Sequence, residues 1–169
     1  MNVETTHEHR WLHRLVGNWT AEGEAQMGPE GPTEKWKIPE QVSKVGETWV
    51  QTRSEGEFPG CGPAMTVMTL GYDPARKHFV GTFIGSMMTH MWIYEGDLEA
   101  DGKTLTLRAD GPAFGPDGTV VPGKMAKYRD VVAFQDDDNR TLTSFMQADN
   151  GEWIQIMQAR YRRDRESGP

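Results

Sequence analysis

A single cysteine, Cys61, stands among 169 residues, so an internal disulfide is excluded and a reducing compartment is favoured. No run approaches the roughly 18 apolar residues of a helical membrane span. The opening Met1-Asn2-Val3-Glu4 turns polar with no apolar stretch before a small-residue cleavage site, so a cytoplasmic location without a membrane partner is expected. Positive charge is scarce: 18 Lys and Arg face 25 Asp and Glu, a net charge of −7. That balance argues against nucleic acid, whose phosphates need a basic surface. Basic residues cluster only at Arg160, Arg162, Arg163 and Arg165, which reads as a solvated strand end. No glycine loop leads from a strand into a helix to cradle phosphate, and no other cofactor motif is present. Internal repeats and low-complexity tracts are also missing.

What is present is bulky filling. Hydrophobic residues make up 36% of the chain, with six Trp and ten Met. A chain of this length buries roughly two-thirds of its unfolded surface, enough for one core without staples, so a single domain over 1–169 is expected. Residues 4–16 read as a short helix: Thr5 or Thr6 can cap it, and Trp11, Leu12, Leu15 and Val16 form an apolar stripe. Gly17 stops it.

Everything beyond reads as strands, near 18–27, 33–45, 47–54, 64–73, 77–87, 89–99, 103–110, 125–136, 140–148 and 152–163. Asp101-Gly102 and Asn150-Gly151 are strong hairpin signals, because both central positions of a type I′ turn need positive φ. Short links make sequence neighbours antiparallel neighbours in space. About ten strands with one N-terminal helix therefore predict an all-β, up-and-down barrel, since closure removes exposed edges. Leu105, Leu107 and Ala109 alternate with Thr104, Thr106 and Arg108, a clear in/out pattern. The segment 77–88 is apolar on both faces, with Phe79, Phe83 and Met87 opposite Val80, Ile84 and Met88. Such a strand needs cover outside, from the N-terminal helix or from a second copy in a homodimer. Residues 110–124, with three Pro and four Gly, read as a long loop over a binding mouth.

Two families are resembled. The opening His9-x-x-Leu12-x-x-Leu15-Val16-Gly17-x-Trp19 resembles the start of the bacterial domain-of-unknown-function family 1579. The resemblance continues through Gly71-Tyr72-Asp73, Phe79 to Thr89, Gly96-Asp97-Leu98, Gly102 to Leu107, Tyr128-Arg129, Asp149-x-Gly151 and Tyr161-Arg162-Arg163. It implies a lipocalin-like barrel and no established activity. Members tend to carry Trp-x-Asp-Ser-Met where this chain has Phe83-Ile84-Gly85-Ser86-Met87, which weakens any transferred chemistry. Gly17-x-Trp19 also resembles the calycin signature, which implies that a last-strand arginine, Arg160 or Arg162, covers Trp19.

Candidate site residues follow from side-chain chemistry. His9 and His13 share a helix face, the spacing of paired metal ligands. Arg10 replaces the expected Glu and no third ligand is near, so no metal is expected. His90 shares a face with Trp92 and Tyr94; pointing inward, it would be a desolvated base. Arg129 and Arg53, the latter beside Trp49, are candidates to anchor an acidic head group. Met68, Phe83, Met146, Trp153 and Met157 supply adaptable apolar walls. Cys61 has no base at hand, and Asp136-Asp137-Asp138-Asn139 lacks a calcium loop's Gly and distal Glu.

The leading reading is a barrel that binds a small molecule, hydrophobic or acidic-headed, without a cofactor. The alternative is an isomerase or cyclase in which His90 moves a proton and Arg129 holds a developing anion. Haem enters through similarity in outline to nitrobindin barrels, which carry a histidine on the last strand. The run Trp153 to Tyr161 has none, which demotes that reading.

Overall fold

The computed structural model describes residues 3–165; Met1 and Asn2, part of the polar opening, lie outside them. One helix, α1 (His7–His13), precedes ten strands: β1 (Gly17–Ala25), β2 (Glu34–Val45), β3 (Trp49–Phe58), β4 (Gly62–Asp73), β5 (His78–Gly85), β6 (Trp92–Leu98), β7 (Thr104–Phe114), β8 (Val120–Asp136), β9 (Asn139–Gln147) and β10 (Trp153–Arg163). They form a closed antiparallel barrel in which each strand pairs with its chain neighbours and β10 returns to β1. Closure is set by Trp19 opposite Arg163 and Ala21 opposite Tyr161. Both hairpins form, with Gly102 at φ 68° and Gly151 at φ 88°, but Asp101 and Asn150 do not take positive φ. The links span 99–103 and 148–152, so they are longer than the two-residue type I′ turns expected. No helix among the described residues is long and apolar enough to cross a membrane.

The helix is shorter than the stretch 4–16: Thr6 caps its start and Arg14 its end, so it stops before Gly17, which opens β1 instead. The Thr6 N–H donates to His9 Nδ1 at 3.0 Å, and the free Nε2–H of that ring donates to the Tyr72 carbonyl at 3.0 Å. His9 is therefore a buried capping residue, and His13 contacts the Glu47 carbonyl at 2.8 Å. A seven-residue helix cannot persist alone. Trp11, Leu12 and Leu15 bury their side chains into one end of the barrel, each contributing about 1.5–3 kcal/mol. The Trp11 indole N–H reaches the Gly102 carbonyl at 2.9 Å, and α1 stoppers that end.

Three further expectations are corrected. Trp19 is covered by Arg163, not Arg160 or Arg162: on β10, residues 159, 161 and 163 alternate inward, while Arg160 and Arg162 are exposed. The Arg163 guanidinium lies 4.2 Å from the Trp19 ring and donates to the carbonyls of Val16 at 2.6 Å and Arg14 at 2.9 Å. Residues 110–124 are mostly strand, since β7 and β8 extend as a hairpin whose turn lies against the β1–β2 connection. The Glu30 N–H donates to the Pro116 carbonyl there at 2.8 Å. Finally, α1 does not cover the outer face of β5 and β6, where Ile84 is 46% and Ile93 68% exposed.

Candidate functional site

Inside the barrel, a cavity of about 150 Å³ is walled by Met68, Phe83, Met87, Leu142 and Met157, with charge at its base. Arg140 is the second residue of β9, two before Leu142, and Glu40 lies on β2 between Ile38 and Val42. Pleat alternation turns both inward. Their side chains are 5% and 10% exposed, and an Arg140 Nη donates to Glu40 Oε1 at 2.5 Å. The Ser54 hydroxyl donates to the other Glu40 oxygen at 3.4 Å. The guanidinium carbon sits 3.9 Å from the Tyr161 ring centroid and 4.6 Å from that of Trp19. Its Nε has no hydrogen-bond partner among the described residues. A buried donor left unmade is expensive and marks where an acceptor belongs.

A second polar group stands on the neighbouring strands. The Tyr94 hydroxyl donates to Asp130 Oδ2, and Ser144 stands opposite Asp130 on β9. Asp130 keeps some accessible surface, yet enough protein surrounds the carboxyl that desolvation raises its pKa above the ordinary value, against the lowering effect of the neighbouring Ser144 and Tyr94 hydroxyls. Burial first, then the neighbouring Asp130 charge, pushes the Tyr94 phenol well above its usual range. Burial, followed by Glu40, likewise raises Tyr161. Both phenols stay protonated and act as donors.

Of the residues read as a site, Met68, Phe83 and Met157 line the cavity. Trp92 and Met146 also point inward, beside Tyr128. His90 lies in the β5–β6 connection rather than on a strand, edge-on to Trp92 at 4.9 Å, with its Nε2 donating to the Asp110 carbonyl at 3.0 Å. Four residues lie outside the barrel. Trp49 and Arg53 alternate with buried Val50, Thr52 and Ser54 on β3 and are exposed. Arg129 stacks over Trp153 at 4.1 Å beside the inward Tyr128 and faces away from the interior. His90 and Arg129 therefore do not converge, and the proton-transfer pairing loses its geometry. Arg140, Glu40, Asp130 and Tyr161 were not singled out by sequence reasoning. Among the described residues no three His, Cys, Asp or Glu gather as metal ligands.

Solved structures share this architecture. The structure of Rv2717c from M. tuberculosis superposes with a TM-score of 0.64 at 14% identity, covering 96% of this chain and 100% of that one. The S-type phycobiliprotein lyase CPES from Guillardia theta gives 0.60 at 15% identity, covering 97% and 96%. At these identities the likeness is one of fold. No curated protein matches the sequence. The family model described as protein of unknown function, DUF1579, matches residues 4–163, and the chain belongs to that family.

Proposed function

We propose that the barrel binds a small, largely apolar molecule carrying a neutral hydrogen-bonding oxygen. The observation that carries this is the unpartnered Nε of Arg140, a side chain that borders an internal cavity. The oxygen accepts from Nε and from the Tyr161 hydroxyl, while Met68, Phe83 and Met157 hold the apolar body. An acidic head fits less well than a carbonyl or hydroxyl. Glu40 already neutralises Arg140, and a second anion would meet two interior carboxyls. The volume suits one ring: a cavity of about 150 Å³ is the size that accepts benzene. Larger ligands require the unbranched thioethers of Met68, Met87 and Met157 to move aside. The lyase CPES has the same fold, which agrees with a barrel of this kind serving a small-molecule protein.

Native mass spectrometry of purified protein and a thermal-shift panel of small aromatic ketones and alcohols test the proposal. Retained mass, or a Tm increase abolished by Arg140→Met, is expected. Neither retention nor any shift rejects it. We also propose a homodimer through exposed Ile84 and Ile93; sedimentation as a monomer at every concentration rejects that.

A further inference from the structure

Strands β6 and β7 separate halfway along. They pair only where Glu95 to Leu98 face Arg108 to Leu105. Beyond that point Trp92, Ile93 and Tyr94 pair with β5 alone, and Ala109 to Pro112 with β8 alone. A groove of about 590 Å³ follows this seam, with Ile93 and Tyr94 on one side and Ala109 and Asp110 on the other. An open strand edge is normally a liability, yet this one is managed by side chains. Pro112 has no N–H to leave unpaired. His90 Nε2 donates to the Asp110 carbonyl at 3.0 Å, and the Tyr128 hydroxyl donates to the Pro112 carbonyl. Side-chain caps of this kind maintain a gap instead of closing it.

The gap is filled by one indole. Gly111 makes room for Trp92, since a Cβ there would lie 2.2 Å from the ring. His90 and Tyr128 flank the ring edge-to-face at 4.9 and 4.7 Å. The indole N–H has only a weak acceptor, Met88 Sδ at 3.3 Å, and Met88 is 36% exposed. Across the strand pair stands Phe83, a wall of the cavity. One end of the barrel is closed by α1, and at the other the β7–β8 turn lies on the β1–β2 connection.

We propose that the β6–β7 seam is a side entrance to the interior and that Trp92 is its gate. Release of the Met88 and His90 contacts lets the indole swing outward, opening a slit past Phe83 that fits a flat or slender apolar molecule. What the entrance would admit rests on the interior site proposed above; the opening itself rests on the seam and on Trp92. The competing route runs past Phe58 and Met87, which also border the cavity.

Labelling of a buried thiol separates the routes. Val132, 4% exposed on the cavity wall, is replaced as Val132→Cys in a Cys61→Ser background. Its reaction with methyl methanethiosulfonate is then followed by mass. Met88→Ala, a change at a part-exposed side chain, is expected to speed labelling by about fivefold, the value of one weak hydrogen bond. Trp92→Ala is expected to speed it by more than about tenfold, as loss of the whole plug lowers the local opening free energy. Phe58→Ala is expected to leave it unchanged. Acceleration by Phe58→Ala with none from Met88→Ala or Trp92→Ala overturns the gate. Labelling at the global unfolding rate in every variant also overturns it. Binding of 4-fluoroacetophenone, a single ring with a neutral carbonyl, is read by ¹⁹F NMR and scored separately. Labelling through the seam without uptake of this ketone rejects the ligand site and leaves the entrance standing. Uptake with labelling controlled at Phe58 rejects the entrance alone.

Discussion

Replacing Glu40 by Leu leaves the Arg140 guanidinium charged in a site where it is 5% exposed, with no counter-ion. Breaking a buried pair from one side typically costs about 3–5 kcal/mol, because the remaining charge is uncompensated. The flanking rings of Trp19 and Tyr161 stay in place and retain their attraction for the cation, so the lower half of that range is expected for Glu40→Leu. Arg140→Met removes both the charge partner and the stacking. It leaves Glu40 with the long Ser54 contact at 3.4 Å, and the upper half is expected. The double variant removes both charges and both desolvation penalties, and is expected within about 2 kcal/mol of the parent. Urea unfolding reads these values directly. With a slope of about 2 kcal/mol/M, each single change moves the midpoint down by about 1.5–2.5 M. Single variants within about 0.5 kcal/mol of the parent would show that the pair is solvated. A double variant as unstable as the sum of the singles would show that the two side chains do not interact.

Three further outcomes are expected. Asp130 has a pKa raised above 3.8 in the folded state, so the folded protein holds this proton more tightly than the unfolded chain. Its contribution is fullest below 3.8 and falls as pH rises through the raised value. Asp130→Asn therefore gains stability relative to the parent between acid and neutral pH, and parallel urea curves across that window would contradict this. Arg163→Ala loses its carbonyl contacts and the stack on Trp19, an expected loss of about 2–3 kcal/mol and a Tm lower by about 5–10 °C. Arg160→Ala changes stability by less than about 0.5 kcal/mol, and equal effects would restore Arg160 as the cover. Gly111→Ala forces its methyl group into Trp92; a loss of about 1–3 kcal/mol with an altered near-ultraviolet Trp signal is expected, and an unchanged spectrum would remove the plug.

The fold was legible because its punctuation is local. Gly151 and Gly102 each supply the positive φ that reverses the chain, and Leu105 and Leu107 are indeed fully buried. The site was legible only on strands whose inner face is the bulkier one, as with Phe83 and Met68. On β3 the bulky Trp49 and Arg53 face out while Val50, Thr52 and Ser54 face in. Side-chain size then points the wrong way, because inward residues from other strands already fill the middle. A better local signal was present for the charges. Glu40 lies between Ile38 and Val42, and Asp130 between Tyr128 and Val132, each with apolar neighbours two residues away on both sides. Exposed Arg53 has Gln51 and Glu55 there instead. Nothing local could pair Glu40 with Arg140, which is 100 residues distant; only barrel closure joins them.

The most direct test of an interior ligand site uses the methionine methyls. Acetophenone, a single ring with a neutral carbonyl, is titrated into protein labelled with ¹³C at each Met methyl. Saturable shifts at Met68, Met87 and Met157, abolished by Arg140→Met, are expected. Exposed Met91 and Met125 should remain still. Movement confined to those exposed methyls, or none at any, would mean that the barrel interior takes no such guest.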